Sequence, residues 1–223
     1  MDIEWIDQQV RLPLSKETVS EAISMAEEAG RTCYKSEPKG DPVAFLSKIL
    51  HRGHESVLEH INISAVLTTD RSVTHQLVRH RHCAFSMESQ RYVNYNKKGL
   101  IQLVKPQFFG DPSTPSTVVR LFKGKCLSLV CTYEELIDED GLPPEEARGL
   151  LPNCTATTIA MTANLREWRH IFRMRLDGAA QPQIRSLFTT LKIAMSYKYG
   201  LSWAFEDIPH CPNRIHNSAI YLD

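Results

Sequence analysis

HINISAVLTTDRSVTHQLVRHRHCAFSMESQRY, running from His60 to Tyr92, is the stretch on which the architecture turns. Its opening, His60 to Thr69, partly alternates and is rich in β-branched side chains, the pattern of a half-buried strand. Asp70 then offers a capping carboxylate ahead of RSVTHQLVRHR, where Val73 and Leu77 recur at helical spacing. The helix expected there places Gln76, Arg79 and His80 at i, i+3 and i+4, on a face beside the apolar one.

Outward from this core, helices outnumber strands. SKETVSEAISMAEEAG offers Ser15 as a cap, an apolar face of Val19, Ala22, Ile23 and Ala26, and Gly30 as its end. DPVAFLSKILHRG has Asp41 as cap, Pro42 at the first helical position and Gly53 as terminator, which leaves His54 just beyond a helix end. Further helices are expected from about Thr117 to Asp138, from about Thr157 to Leu176, and from Pro182 to Gly200. The last carries Ile184, Leu187, Leu191, Ala194 and Met195 inward. A short helix is expected within GLPPEEARGLLP, and the tail over 201–223 reads as irregular. The fold class is α+β, a small sheet covered by helices in one domain.

With 223 residues, 42% of them hydrophobic, the chain is long enough for one well-buried domain. Lys+Arg and Asp+Glu are both 26, so no global field draws in nucleic acid or anionic lipid, and positive charge must act locally. The N-terminus MDIEWIDQQVRL lacks the basic and apolar regions of a secretory signal, and no apolar run approaches a membrane span. Six scattered cysteines (Cys33, Cys83, Cys126, Cys131, Cys154 and Cys211) without a C-x-x-C pair read as reduced thiols, and the expected compartment is the cytoplasm.

Three clusters invite chemistry. Arg79, Arg81 and Arg91 stand among Leu77, Val78, Cys83, Ala84, Phe85 and Tyr92, so some of these cations must be partly buried and need an anion. Asn164, Arg166, His170, Arg173 and Arg175 are interleaved with Trp168, Ile171, Phe172 and Met174, which fits either an anion-binding face or a solvated amphipathic one. His51, His54, Glu59 and His60 suggest zinc, but they straddle a helix end and form no H-E-x-x-H, so no metal site is expected. Glycine-rich dinucleotide and phosphate loops and the G-x-S-x-G elbow are absent, so a nucleotide here would be held by side chains and ordinary helix ends.

Arg79-His80-Arg81, seven residues, then Ser89, with Arg91 and Tyr92 following, resembles the signature of the flavin-dependent thymidylate synthases. GRTCYKS, GHESVLEH, EEARGLLPN, TANLREWRHIF and RLDGAAQPQIR resemble further blocks of that family in family order, over about residues 20–208. The resemblance implies a twisted antiparallel sheet packed by helices, in a homotetramer whose active sites lie between subunits. Each site would hold FAD, dUMP and a folate, with NADPH as reductant and methylenetetrahydrofolate as one-carbon donor. Two phosphorylated ligands would then account for the local crowd of arginines.

Residue by residue, the resemblance assigns Gln76, Arg79, Ser89, Gln90 and Arg91 to dUMP, with Arg148 at its phosphate. It assigns Ser56, Arg79, His80, Arg81, Asn164, Arg166 and His170 to FAD. Arg175 matches the arginine that lies against the pyrimidine and acts in catalysis, also as a dUMP contact. His54 matches a histidine of the folate and electron-transfer region, and Glu59 lies in the same block. The chain departs from the family at Met87, where Glu or Gln is usual, so only a backbone contact to FAD carries over there. Ser86 replaces a frequent Asn.

Making uracil C5 nucleophilic requires either a thiolate added at C6 or a cation that stabilises negative charge in the ring. Cys83 is the one cysteine inside a motif, and its Ala84 and Phe85 neighbours suit a packing role. The resemblance implies the second route, through Arg175 and without a cysteine nucleophile. Two rival classes are a nucleic-acid-binding module using RHRH and a metal-dependent nucleotide hydrolase using His54 to His60. The sequence pI of about 7.1 weighs against the first.

Overall fold

Two strands form the centre of the fold, and each turns into a helix with no loop between. In the computed structural model, which describes residues 1–33, 35–208 and 219–222, Asn62–Asp70 and Ala156–Asn164 pair antiparallel from Asn62 opposite Asn164 to Asp70 opposite Ala156. In chain order the elements are β1 (Asp2–Ile6), β2 (Gln9–Arg11), α1 (Lys16–Thr32), α2 (Pro42–His51), β3 (Asn62–Asp70), α3 (Arg71–Leu77), β4 (Cys83–Met87), α4 (Tyr95–Lys98), β5 (Leu100–Val104), α5 (Ser116–Asp138), α6 (Pro144–Ala147), β6 (Ala156–Asn164), α7 (Leu165–Arg175), α8 (Pro182–Tyr199) and β7 (Ile220–Leu222). The sheet order is β4-β6-β3-β2-β7, while β1 and β5 form a separate pair. The expected antiparallel sheet packed by helices is present, with two parallel additions: β7 runs parallel to β2, and β1 to β5.

Period-two alternation splits the central sheet into unlike faces. Ile63, Ala65 and Leu67 of β3 and Ile159, Met161 and Ala163 of β6 are buried. They join one core with Trp168 and Phe172 of α7 and Ile184, Leu187, Phe188 and Leu191 of α8. Each of the Ile, Leu, Met and Phe side chains contributes about 1.5–3 kcal/mol on burial. The opposite face carries hydroxyls, with Ser64 bonded to Thr162 at 2.7 Å and Thr68 to Thr158 at 3.1 Å. A second core gathers Ile101, Leu103, Cys126, Val130 and Tyr133 from β5 and α5.

Several expectations need correction. The helix expected from Thr157 is a strand as far as Asn164, because Thr157, Thr158 and Ile159 are β-branched and pair with β3 along its whole length. Asn164 then caps α7 by accepting from the Glu167 amide at 2.9 Å. Cys83–Met87, inside the cationic motif, forms an edge strand on β6. The helix after Asp70 ends at Leu77, so Gln76, Arg79 and His80 share no helical face. The turn closed by His80 N–H on the Leu77 carbonyl instead buries His80 and leaves Arg79 and Arg81 exposed. Of the expected irregular tail, Ser202–Ala204 is a 3-10 turn and Ile220–Leu222 a strand; residues 209–218, with Cys211, lie outside the described residues.

Two glycines have distinct physical roles. Gly53 sits at φ +83 after α2, with its amide on the Leu50 carbonyl and the His54 amide on that of Ile49, a Schellman close that launches the 3-10 turn Glu55–His60. Gly30 does not end α1 but lies inside it, where a Cβ would stand 2.9 Å from the Phe45 ring. Closeness of α1 to α2 explains this glycine, not chain termination.

The helix α7 is tied to that 3-10 turn by a buried cation. Arg169, with a side chain 2% exposed, donates to the Ala204 carbonyl, to Glu55 at 3.1 Å and to Asp207 at 2.8 Å, and Arg173 reaches the same two carboxylates. Burial alone would raise the Asp207 carboxyl, but hydrogen bonds and charge from Arg169 and Arg173 outweigh it and bring it down to about 2.

Gly30→Ala should destabilise the chain by about 1–2 kcal/mol in urea melts. Helix propensity gains at most about 1 kcal/mol, against about 1–3 kcal/mol for overpacking the Phe45 contact; a stabilised variant would refute that contact. Asp207→Asn should cost up to about 1 kcal/mol at pH 7, since the carboxylate is more than half exposed and Arg169 keeps Glu55 and Ala204. The folded carboxyl titrates near 2 and the unfolded one near 3.8. The loss should therefore be complete above about pH 5 and vanish as pH falls from about 4 through 2. A difference that is independent of pH would contradict it.

Candidate active site

Arg175, at the last turn of α7, reaches back to the end of α3. Its Nε–H donates to His80 Nε2 at 2.9 Å, Nη2 donates to the Gln76 carbonyl at 3.2 Å, and Nη1 lies 3.5 Å from Gln76 Oε1. Gln76 is itself held, its amide nitrogen donating to Gln181 Oε1 at 2.5 Å and to the Ser72 carbonyl. Burial pushes the Arg175 guanidinium down from its usual range. His80 is brought to about 4 by burial and then by the charges of Arg175 and His170, so its ring is neutral at physiological pH.

Beside this contact opens a cavity of about 590 Å³, lined by Glu55, Glu59, His82, Asn164, Arg166, Glu167, His170 and Arg173. Because α7 starts at the end of a strand, its first turn projects Arg166 and its second His170 into this space, while Trp168 and Phe172 face the core. Arg166 is paired with Glu59 at 2.5 Å, with both side chains about half exposed. Such a pair is worth about 0–1 kcal/mol, so an anionic ligand could displace the carboxylate. Arg79 and Arg81 are exposed and have no carboxylate within ion-pair distance among the described residues. This donor set suits a pyrophosphate.

The remaining candidates lie outside the lining of this cavity. Ser89 accepts from the Arg91 amide at 3.3 Å. Arg91 forks onto Glu145 Oε2 at 3.1 and 3.0 Å, and Arg148 donates to the Glu145 carbonyl at 3.0 Å, so both arginines meet at one residue. Gln90 is buried; its amide nitrogen has no well-formed hydrogen bond, although it faces the Tyr95 hydroxyl closely enough to act on it. Met87 receives only a long contact from Arg71 to its sulfur, so its side chain offers no polar group to a ligand. Ser56 is exposed in the 3-10 turn after α2. His54 lines another cavity of about 490 Å³ with Arg31, Lys39, Lys48 and Arg52.

Single-chain geometry thus places Asn164, Arg166 and His170 in the lining of one cavity, sets the His80–Arg175 contact beside it through Glu167 and His170, and gathers Arg91 with Arg148 around Glu145. Neither Arg91 nor Arg148 lines that cavity. Three residues not singled out in the sequence prove central: Gln181, which holds Gln76; Glu145, which holds Arg91; and Glu167. Asn164-Leu165-Arg166-Glu167 reads as an ordinary helix start, and this conceals Glu167, whose side chain turns to within 3.8 Å of His80 Nδ1.

His80, Glu167 and His170 present ligand-type atoms within 4.8 Å of one another. Arg175 decides against a metal there. A guanidinium has only donors, so His80 Nε2 must be the acceptor and the neutral ring carries its proton on Nδ1, the atom a metal would need. Cys83 is pushed up to about 12 by burial and by the Glu167 charge, so its sulfur remains a thiol.

A family model for the thymidylate synthase complementing protein matches residues 14–196. A probable flavin-dependent thymidylate synthase of Mycobacterium phage L5 is 33% identical over 204 residues, covering 86% of this chain and 83% of the relative. The flavin-dependent thymidylate synthase of Geobacter sulfurreducens is 37% identical over 169 residues, 71% of each chain. Among solved structures, thymidylate synthase X of Helicobacter pylori, crystallised with FAD and dUMP, superposes with a TM-score of 0.70 at 18% identity, over 92% of this chain and 100% of that one. That likeness establishes the fold, while the sequence matches establish the lineage. The chain belongs to the flavin-dependent thymidylate synthase family.

Proposed function

We propose that this chain converts dUMP to dTMP with FAD, taking the carbon from methylenetetrahydrofolate and the electrons from NADPH, with no cysteine nucleophile. Arg166, His170 and Asn164, with His80 and the exposed Arg79 and Arg81, are the residues that would hold FAD, and Ser56 and the Met87 backbone border it. Bound there, FAD supplies hydride chemistry that no side chain can. The single observation that carries the reading is the convergence of Arg175, His80 and Gln76 beside a cavity lined by Arg166 and His170.

In this reading Arg91, Arg148 and Ser89 take the dUMP phosphate, and Gln76 and Gln90 orient the base. Arg175 places positive charge beside N3 and O2, so that electron density rises at C5 without a covalent bond to the enzyme. Its loosest contact, Nη1 to Gln76 Oε1, leaves an N–H for the pyrimidine. The Cys83 thiol, held protonated, supports this route over a thiolate addition. Lys39, Lys48 and Arg52 beside His54 suit the carboxylates of a folate. Shared sites in a homotetramer, in a reducing cytoplasm, complete the proposal. The separation of Arg91 and Arg148 from the cavity lined by Arg166 and His170, and the exposed Val118, Leu121, Leu127 and Leu129 of α5, support assembly. No helix among the described residues is long and apolar enough to cross a membrane.

The test is a flavin spectrum on purified protein together with tritium release from 5-tritiated dUMP. We expect a yellow protein with turnover that requires methylenetetrahydrofolate and NADPH. Arg175→Ala should lower turnover by about 10²–10³-fold or more with FAD retained. Colourless, inactive protein, or substantial turnover by that variant, would count against the reading. Cys83→Ala should keep turnover within a few-fold of the parent, whereas loss of activity with an intact flavin spectrum would revive the thiolate route.

A further inference from the structure

We propose that Glu167 is a positioning residue for Arg175, acting through the His80 ring. The inference rests on the reading of Arg175 as the group that polarises the pyrimidine, and it adds a device that sets where that guanidinium points.

Arg175 has three contacts, all to two residues: His80 Nε2 at 2.9 Å, and the carbonyl and side-chain oxygens of Gln76 at 3.2 and 3.5 Å. The shortest is to the imidazole, and it forms only while Nε2 carries no proton, because the partner is a donor at every accessible pH. The tautomer of His80 therefore decides whether Arg175 has its best acceptor. On the far side of the ring, Nδ1 faces Glu167 Oε1 at 3.8 Å, with the two side chains 4% and 11% exposed. That spacing is longer than a hydrogen bond, yet in so sheltered a place a carboxylate favours the proton on Nδ1. The imidazole thus stands between a carboxylate on one nitrogen and a guanidinium on the other, the first biasing where its proton sits and its free nitrogen then accepting from the second.

A plainer role exists for Glu167, as an acid in the first turn of α7 interacting with the helix dipole. That role needs only an exposed carboxylate and would be felt in stability alone. The inward turn of this side chain towards His80 favours the positioning role.

Glu167→Gln separates the two. Its uncharged amide removes the negative charge that holds the proton on Nδ1 and can donate to that atom, which frees the ring proton to move to Nε2, where it opposes the Arg175 N–H. The measurement is a two-bond ¹H–¹⁵N spectrum of ring-labelled protein without substrate, with His80 identified among the nine histidines by the His80→Gln variant. We expect the Nδ1–H tautomer in the parent and Nε2–H or a mixture in Glu167→Gln. Turnover in tritium release should fall by about 10–100-fold, as for a misplaced catalytic group, with KM for dUMP and flavin content nearly unchanged. Glu167→Asp, which keeps the acceptor, should recover most of the rate. An Nε2–H tautomer in the parent, or parental turnover in Glu167→Gln, overturns the proposal. If the parent forms no thymidylate, the functional reading falls while the substrate-free spectrum still decides this one.

Discussion

The structure depends on the way two antiparallel strands end. β3 becomes α3 at Asp70, whose carboxylate accepts from the Val73 amide at 2.8 Å, and β6 becomes α7 at Asn164, whose side chain accepts from Glu167. Their register places Asp70 opposite Ala156 and Asn62 opposite Asn164, so the two helices start at opposite ends of the central ladder. The far ends of those helices then meet, Arg175 of α7 against Gln76 of α3. A capping residue that costs about 1 kcal/mol to lose thereby fixes the direction of a helix that carries every cavity-facing cation of the second cluster.

Chemically identical arginines do two different jobs here, and burial separates them. Arg169 is enclosed and answered by Glu55, Asp207 and a backbone carbonyl, so its charge is spent within the fold. Arg79 and Arg81, on either side of a buried histidine, remain exposed with no such carboxylates among the described residues. Arg175 is intermediate, half sheltered and bound only by neutral acceptors. A cation satisfied by dipoles keeps its full charge for a ligand, and a neutral His80 is the reason it can.

Much of the site was legible because it lies in a contiguous motif. Arg79-His80-Arg81 with Ser89, and the TANLREWRHIF block, pointed to anion-binding groups, and the structure places His80, Asn164, Arg166, His170 and Arg175 together. The carboxylates and amides that orient these groups were hidden. Glu167 looks like a helix-start acid, Glu145 like a surface charge and Gln181 like the residue before a proline, and only spatial neighbours reveal otherwise. TTIAMTAN reads as helix because its apolar residues continue into LREWRHIF, and a strand joined directly to a helix leaves no turn residue to mark the boundary.

The sequence by itself determined the lineage, the mixed helix and sheet composition, the caps at Ser15, Asp41 and Asp70, and the residue types that can bind phosphate, since these follow from local chemistry and spacing. Only the tertiary structure decided that His80 points inward while its flanking arginines point out, that Gly30 serves a close helix contact, and which nitrogen of His80 carries the proton. Each of these depends on a partner far along the chain: Phe45 for the glycine, Arg175 and Glu167 for the ring. Local periodicity carries no information about such partners.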